Sequence, residues 1–523
     1  MPRKRISQIT FISLFASSAA FAQSIPNELM QSPNTPIVTV GGFINVAADR
    51  VSQSKPYTKD RLPDAALDAN GVVDPTAAGT HNRYSNKYDF TNDSEIYIKV
   101  GAISDSGLKY GAIVELEADT SPNGRGNGFN ADKSFIFTES RAGKFEFGNN
   151  LAANQKMKVG PSVFARAAGG INGKYLEYVN SPMLANSTQV DNSVCSGGVG
   201  TTGNTCGNVK LPRFILIPQS PVAHGGYAKG FYNGSSATNT DGNYDNDNVG
   251  TTGSFNSNNL LDGNNVVNSN LGIKNGSFGQ MEDATKISYY TPRVNGWQLG
   301  GSFTPDTGST GTSAVISGRN SGDIKNVVSF GLNYSDNIGN LGVAMSATGE
   351  SGQFENSKMP TGIAGQRNSL SSYDAGVMFT YFGFTIGGSY GYWGTSLQQT
   401  KGIYSCDYDS TTALAAQDCT ITDTYKPKKF KGASYYTTGL AYEFGPIAFS
   451  ITTMSSNFQK NKYQAQSFGI DYKLARGLMP YIEVTKFKFT SNQVQASGVT
   501  ATTAKQIFDN KGYVALLGIL FAF

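Results

Sequence analysis

Long stretches of the chain alternate between apolar and polar residues at every second position. In the stretch 434–444, one face carries apolar side chains such as Tyr436 and Leu440. The other face of the same stretch carries Thr437 and Glu443. Successive side chains of a β-strand point to opposite sides of the sheet, so this period of two predicts strands with one apolar face. A β-sandwich also alternates, but its apolar faces are richer in Val, Ile and Leu.

Sixteen segments fit this pattern, and nearly all have the nine or more residues that a tilted strand needs to cross a bilayer. The fold predicted from them is all-β, a closed sixteen-stranded antiparallel transmembrane β-barrel. The predicted strands are 37–49, 93–102, 107–119, 132–140, 143–150, 284–292, 296–305, 324–336, 339–350, 371–381, 383–394, 433–443, 446–455, 463–474, 478–490 and 511–523.

The connections between these segments alternate in length. Every second one is a tight turn, such as Arg141-Ala142 or Asn337-Ile338, and the connections between them are long. Membrane barrels have short periplasmic turns at one end and long external loops at the other. A soluble all-β protein has no reason to place all its long loops at one end, so the alternation favours the membrane barrel.

The N-terminus has the pattern of a cleaved export signal. Residues 1–22 comprise a basic start, an apolar stretch and the small-x-small site Ala20-Phe21-Ala22. We therefore predict a signal peptide over 1–22 and a mature barrel over 23–523, located in the cell outer membrane. About fourteen residues then precede the first strand, which leaves no room for the N-terminal plug of an energy-coupled receptor.

Charge and composition exclude several other classes. Removing the three basic residues of the signal peptide leaves 39 Lys and Arg against 38 Asp and Glu, so we expect no nucleic-acid partner. With 2 His and no hydrolase, zinc-protease or P-loop motif, we expect no enzyme, cofactor or metal site. The carboxylate pair Glu115 and Glu117 would suit glycoside chemistry, but a charged lumen explains it better.

The cysteines form two close pairs, Cys195 with Cys206 and Cys406 with Cys419, each within a turn-rich stretch. Two local loop disulfides fit the oxidising compartment that the signal peptide predicts. A four-thiolate metal site is the alternative, although the spacings do not match metal-binding motifs.

Five stretches resemble the trimeric Gram-negative general porins of sixteen strands. They are "IVTVGGFINVAADRV", "SFIFTESRAGKFEFGNN", "TKISYYTPRVNGWQLGGSF", "FGIDYKLARGLMPYIEVTKFKF" and the final "VALLGILFAF". The resemblance implies a homotrimer, passive diffusion of small hydrophilic solutes and ions, and a third loop that folds into the barrel and narrows it. Here the third loop, 151–283, is several times longer than usual, and its stretch "VKLPRFILIPQS" could add a strand or plug the lumen.

Charges on the polar strand faces are expected to line the lumen, because a charge on the lipid side costs several kcal/mol. The predicted lumen residues are Glu95, Lys99, Lys109, Glu115, Glu117, Lys144 and Glu146. The third loop begins with Lys156, Lys158 and Arg166 and has no acid before Glu177. These cations either face Glu115, Glu117 and Glu146 across a constriction or form a solvated external patch.

The expected partners are two further copies of the chain, the lipid and lipopolysaccharide of the outer membrane, and small solutes. The apolar outer face expected at the trimer contact comprises Val38, Val40, Ile44, Val46, Ile96, Ile98 and Val100. Two other functions stay open. One is a substrate-specific channel, for example for an iron chelate or an oligosaccharide, and the other is a surface adhesin with a closed lumen.

Overall fold

The computed structural model describes fifteen segments of the chain. They are residues 35–54, 87–118, 130–164, 167–179, 192–195, 206–209, 214–222, 284–307, 324–354, 368–396, 403–406, 419–422, 432–458, 461–490 and 509–523. The predicted signal peptide, residues 1–22, lies outside the described residues, as do Arg166 and most of the third loop.

Sixteen strands form a closed barrel in which each pairs antiparallel with its neighbours. They are β1 (Ile37–Gln53), β2 (Tyr88–Ile103), β3 (Lys109–Glu117), β4 (Asn130–Ser140), β5 (Gly143–Asn149), β8 (Thr285–Tyr290), β9 (Trp297–Asp306), β10 (Ile324–Ile338), β11 (Leu341–Phe354), β12 (Leu370–Tyr381), β13 (Phe384–Gly394), β16 (Ala433–Phe444), β17 (Ile447–Phe458), β18 (Asn461–Tyr472), β19 (Leu478–Thr490) and β20 (Asn510–Ala522). The predicted fold class and all sixteen predicted barrel strands are confirmed.

Two short hairpins lie in long connections, β6 (Asn192–Cys195) with β7 (Cys206–Val209) and β14 (Ile403–Cys406) with β15 (Cys419–Thr422). Their registers place Cys195 opposite Cys206 and Cys406 opposite Cys419. Directly opposite residues have Cα atoms about 4.5–5.5 Å apart, within the range that a disulfide requires. The backbone is therefore compatible with both predicted disulfides, which stay predictions.

The first described part of the third loop is mostly irregular, with four short helical turns. They are the α-helical turns Ala153–Lys156 and Tyr175–Tyr178 and the 3₁₀ turns Pro161–Val163 and Gly170–Asn172. No helix in the described part of the chain combines the length and the apolar character needed to cross a membrane.

Strand ends differ from the prediction in ways that local chemistry explains. The turn predicted at Asn337-Ile338 was wrong by two residues: both belong to β10, and Gly339 makes the turn with a φ of 65°. Glycine adopts this left-handed conformation without steric cost. The predicted strand 284–292 ends at Tyr290, because Pro292 cannot donate a backbone hydrogen bond to the ladder.

The pleat separates an apolar outer face from an inner face. On β20, which pairs with β1 to close the barrel, Leu517 and Ile519 point outward and are 59% and 51% exposed. Their neighbours Leu516 and Leu520 point inward and are buried. Outward apolar residues are expected where a strand faces lipid, but inward apolar residues must pack against something inside the barrel.

That partner is the described part of the third loop, which packs inside the barrel. Buried aromatic and aliphatic side chains of the loop, including Tyr175 and Phe214, share one apolar cluster with inward residues of the wall, including Phe487 and Leu516. Among the described residues, the largest hydrophobic cluster therefore lies within the barrel, between the loop and the strands from β16 to β1.

Candidate functional site

The third loop follows the inner wall of the barrel in two stretches. We name residues 151–164 and 167–179 together the first limb and residues 214–222 the second limb. The backbone N–H groups of Ala153 and Val159 donate to Ser302 of β9 and Ser346 of β11, each at 2.8 Å. Further on, the N–H of Gly170 donates to Glu483 of β19 at 3.0 Å. The first limb therefore contacts wall strands around much of the barrel.

Inward-facing glycines let the first limb approach the wall closely. A Cβ atom added to Gly376 would lie 1.8 Å from the carbonyl oxygen of Val159, and one on Gly439 would lie 2.7 Å from Pro161. Gly300, on β9, contacts the limb in the same way, with a Cβ position 2.4 Å from the sulfur of Met157. These distances are too short for real carbon atoms, so the wall fits the limb only because these positions have no side chain.

Lys156 anchors the start of the first limb to β5. Its ammonium group forms an ion pair with Glu146, and Asn150 donates to the same carboxylate at 2.9 Å. The ammonium lies over the rings of Phe135 and Tyr290, at 5.1 Å and 5.7 Å from their centroids. Burial lowers the pKa of Lys156 to about 8, although Glu146 opposes the shift.

Lys158 links the first limb, the wall and the second limb. Its ammonium lies 3.2 Å from Asp374 of β12 and donates to the Tyr435 hydroxyl of β16 at 2.6 Å. It also donates to the carbonyl of Pro218 in the second limb. Tyr435 in turn donates to Asp374 at 2.7 Å. Burial lowers the pKa of Lys158, and the charge of Asp374 opposes that shift.

Two more wall carboxylates hold the first limb by accepting hydrogen bonds from uncharged donors. Glu350 of β11 accepts from Asn154 at 2.9 Å, and Glu483 accepts from the backbone of Gly170, as described above. These two carboxylates add to Glu146 and Asp374, which hold the limb through the two lysines.

The second limb packs by apolar contact and by backbone hydrogen bonds. The ring of Phe214 meets Phe489 of β19 edge to face, with centroids 5.0 Å apart. Ser456 donates to the carbonyl of Ile215 at 2.7 Å, and the Trp393 indole N–H donates to Gln219 at 2.8 Å. The sequence left open whether the stretch 209–220 adds a strand or plugs the lumen, and the part of it within the second limb lies inside the barrel against the wall.

The wall from β2 to β5 carries many charged side chains beside buried apolar ones such as Ile113 and Phe137. Lys133 of β4 pairs with Glu115 at 2.6 Å, a partner that the sequence reasoning missed. The carboxylate oxygens of Asp93, Glu95 and Glu117 lie within 4.8 Å of one another, a spacing that a cation could bridge. Lys174 of the first limb pairs with Asp93 at 3.2 Å.

The remaining predicted lumen residues lie on the same wall. Lys109 pairs with Glu139 at 3.4 Å, and Lys144 pairs with Glu146 at 2.9 Å. Lys99 is buried beside the ring of Tyr97. The wall from β2 to β5 therefore presents a dense set of acids and bases to the barrel interior.

Of the three acids expected to face the loop cations, Glu146 pairs with Lys156, whereas Glu115 pairs with Lys133 of the wall. The partner of Lys158 is Asp374, which the sequence reasoning did not select. Its only signal in the sequence is its position on the inward phase of β12.

Comparisons with known proteins find a family match and several related sequences. The sequence matches the Gram-negative porin family over residues 9–210 and 222–492. It is 24% identical over 475 residues to an uncharacterized protein of Rickettsia felis, across 82% of this chain and 92% of that protein. An uncharacterized protein of Rickettsia conorii is 28% identical over 285 residues, across 46% of this chain and 58% of that protein.

Solved structures of porins resemble it more distantly. An anion-selective porin from Comamonas acidovorans aligns over 94% of this chain and 100% of its own, with 13% identity and a TM-score of 0.46. A mutant of the porin from Rh. blastica aligns over 93% and 100%, with 10% identity and a TM-score of 0.45. The family match covers most of the sequence, and the barrel closes with sixteen strands. The chain belongs to the Gram-negative porin family.

Proposed function

We propose that this protein is an outer-membrane channel through which small hydrophilic solutes and ions diffuse passively. The observation that carries the proposal is the unequal interior of the barrel. The loop and an apolar core occupy the side from β16 to β1, whereas the wall from β2 to β5 presents charged side chains. Charged, hydrated walls suit water and ions, so the path of diffusion follows this second wall.

The first limb is the proposed constriction. It lies inside the barrel and brings Lys156, Lys158 and Lys174 against wall carboxylates. Charges near a narrow, partly desolvated path are weakly screened and therefore bias which ions pass. In this proposal Glu95, Lys99 and Glu117 contribute from the wall formed by β2 and β3.

The proposal includes the location and assembly expected from the family. The signal peptide directs export, the tight turns face the periplasm, and the long loops face outward. We further propose a homotrimer whose contacts use the apolar outer face of β1 and β2. Val38, Val40 and Val46 on that face are exposed in the single chain, and burying them would stabilise an assembly.

Solute flux into liposomes tests the proposal. Vesicles containing the purified protein should swell in small sugars at rates that fall steeply with solute size, because the limb narrows the path. Protein-free vesicles and vesicles with heat-unfolded protein are the controls. Vesicles that swell no faster than the protein-free ones in any solute would support the alternative of a surface adhesin with a closed lumen.

A substrate-specific channel is the second candidate, and the second limb favours it. Buried aromatic residues of this limb and of β19 lie inside the barrel, where a general pore would hold water. The same swelling assay separates the two functions. Swelling rates that depend only on solute size support a general porin. A specific channel is supported if one class of solute enters faster than solutes that are smaller.

A further inference from the structure

Four exposed lysines lie on the outward face of the last three strands. They are Lys462 of β18, Lys486 and Lys488 of β19, and Lys511 of β20. We name them the outer lysine cluster. Their sequence neighbours Tyr463 and Phe487 are buried inside the barrel, so the pleat directs the lysines outward. A lysine on the lipid side of a barrel costs about 2–4 kcal/mol at the membrane midplane and little near the interfaces.

The cluster lies at the upper edge of the apolar band. Strand β19 begins at the tight-turn end with Leu478, and its outward residues Ile482 and Val484 are exposed and apolar. At about 3.3 Å per residue and a tilt of about 40°, Lys486 and Lys488 lie roughly 20–25 Å above Leu478. The apolar band of a membrane barrel is about 25 Å tall, so the ammonium groups reach the headgroups of the outer leaflet.

The register brings the cluster together. Lys488 lies opposite Lys511 on one side and opposite Gln464 on the other. Gln466 lies opposite Lys486, so two amide groups border the ammonium groups. Like charges directly opposite each other on a sheet destabilise it. Within the described segments, no carboxylate pairs with any of the four lysines.

We propose that the outer lysine cluster binds the phosphate groups of a phosphorylated lipid in the outer leaflet, which rests on the proposed outer-membrane location. A phosphate between Lys488 and Lys511 would neutralise both charges, and the neighbouring glutamine amides would donate to its remaining oxygens. The acyl chains of the same lipid would lie below, along the apolar outward residues of β18–β20.

The test measures binding of lipid A that carries both phosphates to the purified full chain in detergent, by native mass spectrometry. The variant Lys486→Gln/Lys488→Gln/Lys511→Gln removes three charges of the cluster. Each lysine near an anionic surface contributes about a factor of five to affinity, so the variant should bind on the order of 100-fold more weakly. The matched control, Arg141→Gln/Lys473→Gln/Arg476→Gln, removes three charges at the tight-turn end and should bind as the unmodified chain does.

Two control ligands in the same binding assay distinguish a lipid phosphate from free phosphate. Dephosphorylated lipid A and inorganic phosphate at the same concentration should both bind at least tenfold more weakly than the phosphorylated lipid. The proposal would be overturned if the dephosphorylated lipid or inorganic phosphate bound as tightly as the phosphorylated lipid. It would also be overturned if the cluster variant bound the phosphorylated lipid as tightly as the unmodified chain does. So would a change of oligomeric state in the cluster variant with lipid binding intact, because a second copy would then cover the patch.

Conductance distinguishes this proposal from the proposed function. The cluster variant should conduct like the unmodified chain, because its substitutions lie outside the barrel. Lost lipid binding with normal conductance supports the lipid site. A chain that binds the lipid but does not conduct would contradict the channel and leave the lipid site standing.

Discussion

Replacing Gly376 by alanine tests whether the first limb lies against the wall. The new Cβ atom would lie 1.8 Å from the carbonyl oxygen of Val159, whereas such atoms normally keep about 3.3 Å apart. The limb must therefore move away from β12 by roughly 1.5 Å. This movement strains two adjacent anchors, the Val159 N–H to Ser346 bond and the ion pair of Lys158 with Asp374.

Overpacking of this kind costs about 1–3 kcal/mol. We expect Gly376→Ala to lower the free energy of unfolding by that amount in guanidinium titrations of the protein refolded into lipid vesicles. Because the limb moves toward the bore, the single-channel conductance should also fall.

Gly301→Ala is the matched control. Gly301 lies on the outward phase of β9, and an added Cβ would meet no atom closer than 3.8 Å, the carbonyl oxygen of Ser329. This variant should stay within about 0.5 kcal/mol of the unmodified protein. If Gly376→Ala matches this control in both stability and conductance, the limb does not pack against β12 and the assignment of the constriction is wrong.

Three further predictions follow from the ionisable, cysteine and outer-face residues. The pKa of Lys156 is about 8, so its charge is lost as pH rises through that value, and the permeability ratio should shift toward cations between pH 7 and 9. The variant Lys156→Gln should show a smaller shift. An equal shift in that variant would contradict the assignment of Lys156 to the constriction. Non-reducing peptide mapping should find Cys195–Cys206 and Cys406–Cys419 disulfides, and four alkylated thiols would rule them out. Unheated gels should show a species near three times the monomer mass, whereas a strict monomer by light scattering in mild detergent would oppose the trimer.

The barrel could be predicted because its signals are local. The alternation in 434–444 depends only on neighbouring residues, and the structure bears it out with Thr437 buried and Tyr436 exposed. Strand ends depend on turn geometry, which is why the turn at Gly339 was displaced by two residues in the prediction. Sequence patterns of period two cannot resolve such shifts.

The path of the third loop could not be predicted, because its contacts join residues far apart in the chain. Lys158 meets Asp374, and Gly170 meets Glu483, and no local pattern links such pairs. One signal was present in the sequence. The inward phase of the last two strands carries apolar residues such as Phe487 and Leu516, which a water-filled lumen would not favour and which indicate a packed partner inside.

The single-channel conductance and reversal potential of the purified protein in planar bilayers test the channel most directly, when compared with those of Lys156→Gln/Lys158→Gln. The unmodified protein should give steady conductance steps. The variant leaves Glu146 and Asp374 without their loop cations and loosens two of the wall anchors, so its conductance should rise and its reversal potential in a salt gradient should shift toward cation selectivity. No conductance from either protein, or identical conductance and reversal potential from both, would contradict a diffusion channel narrowed by the third loop.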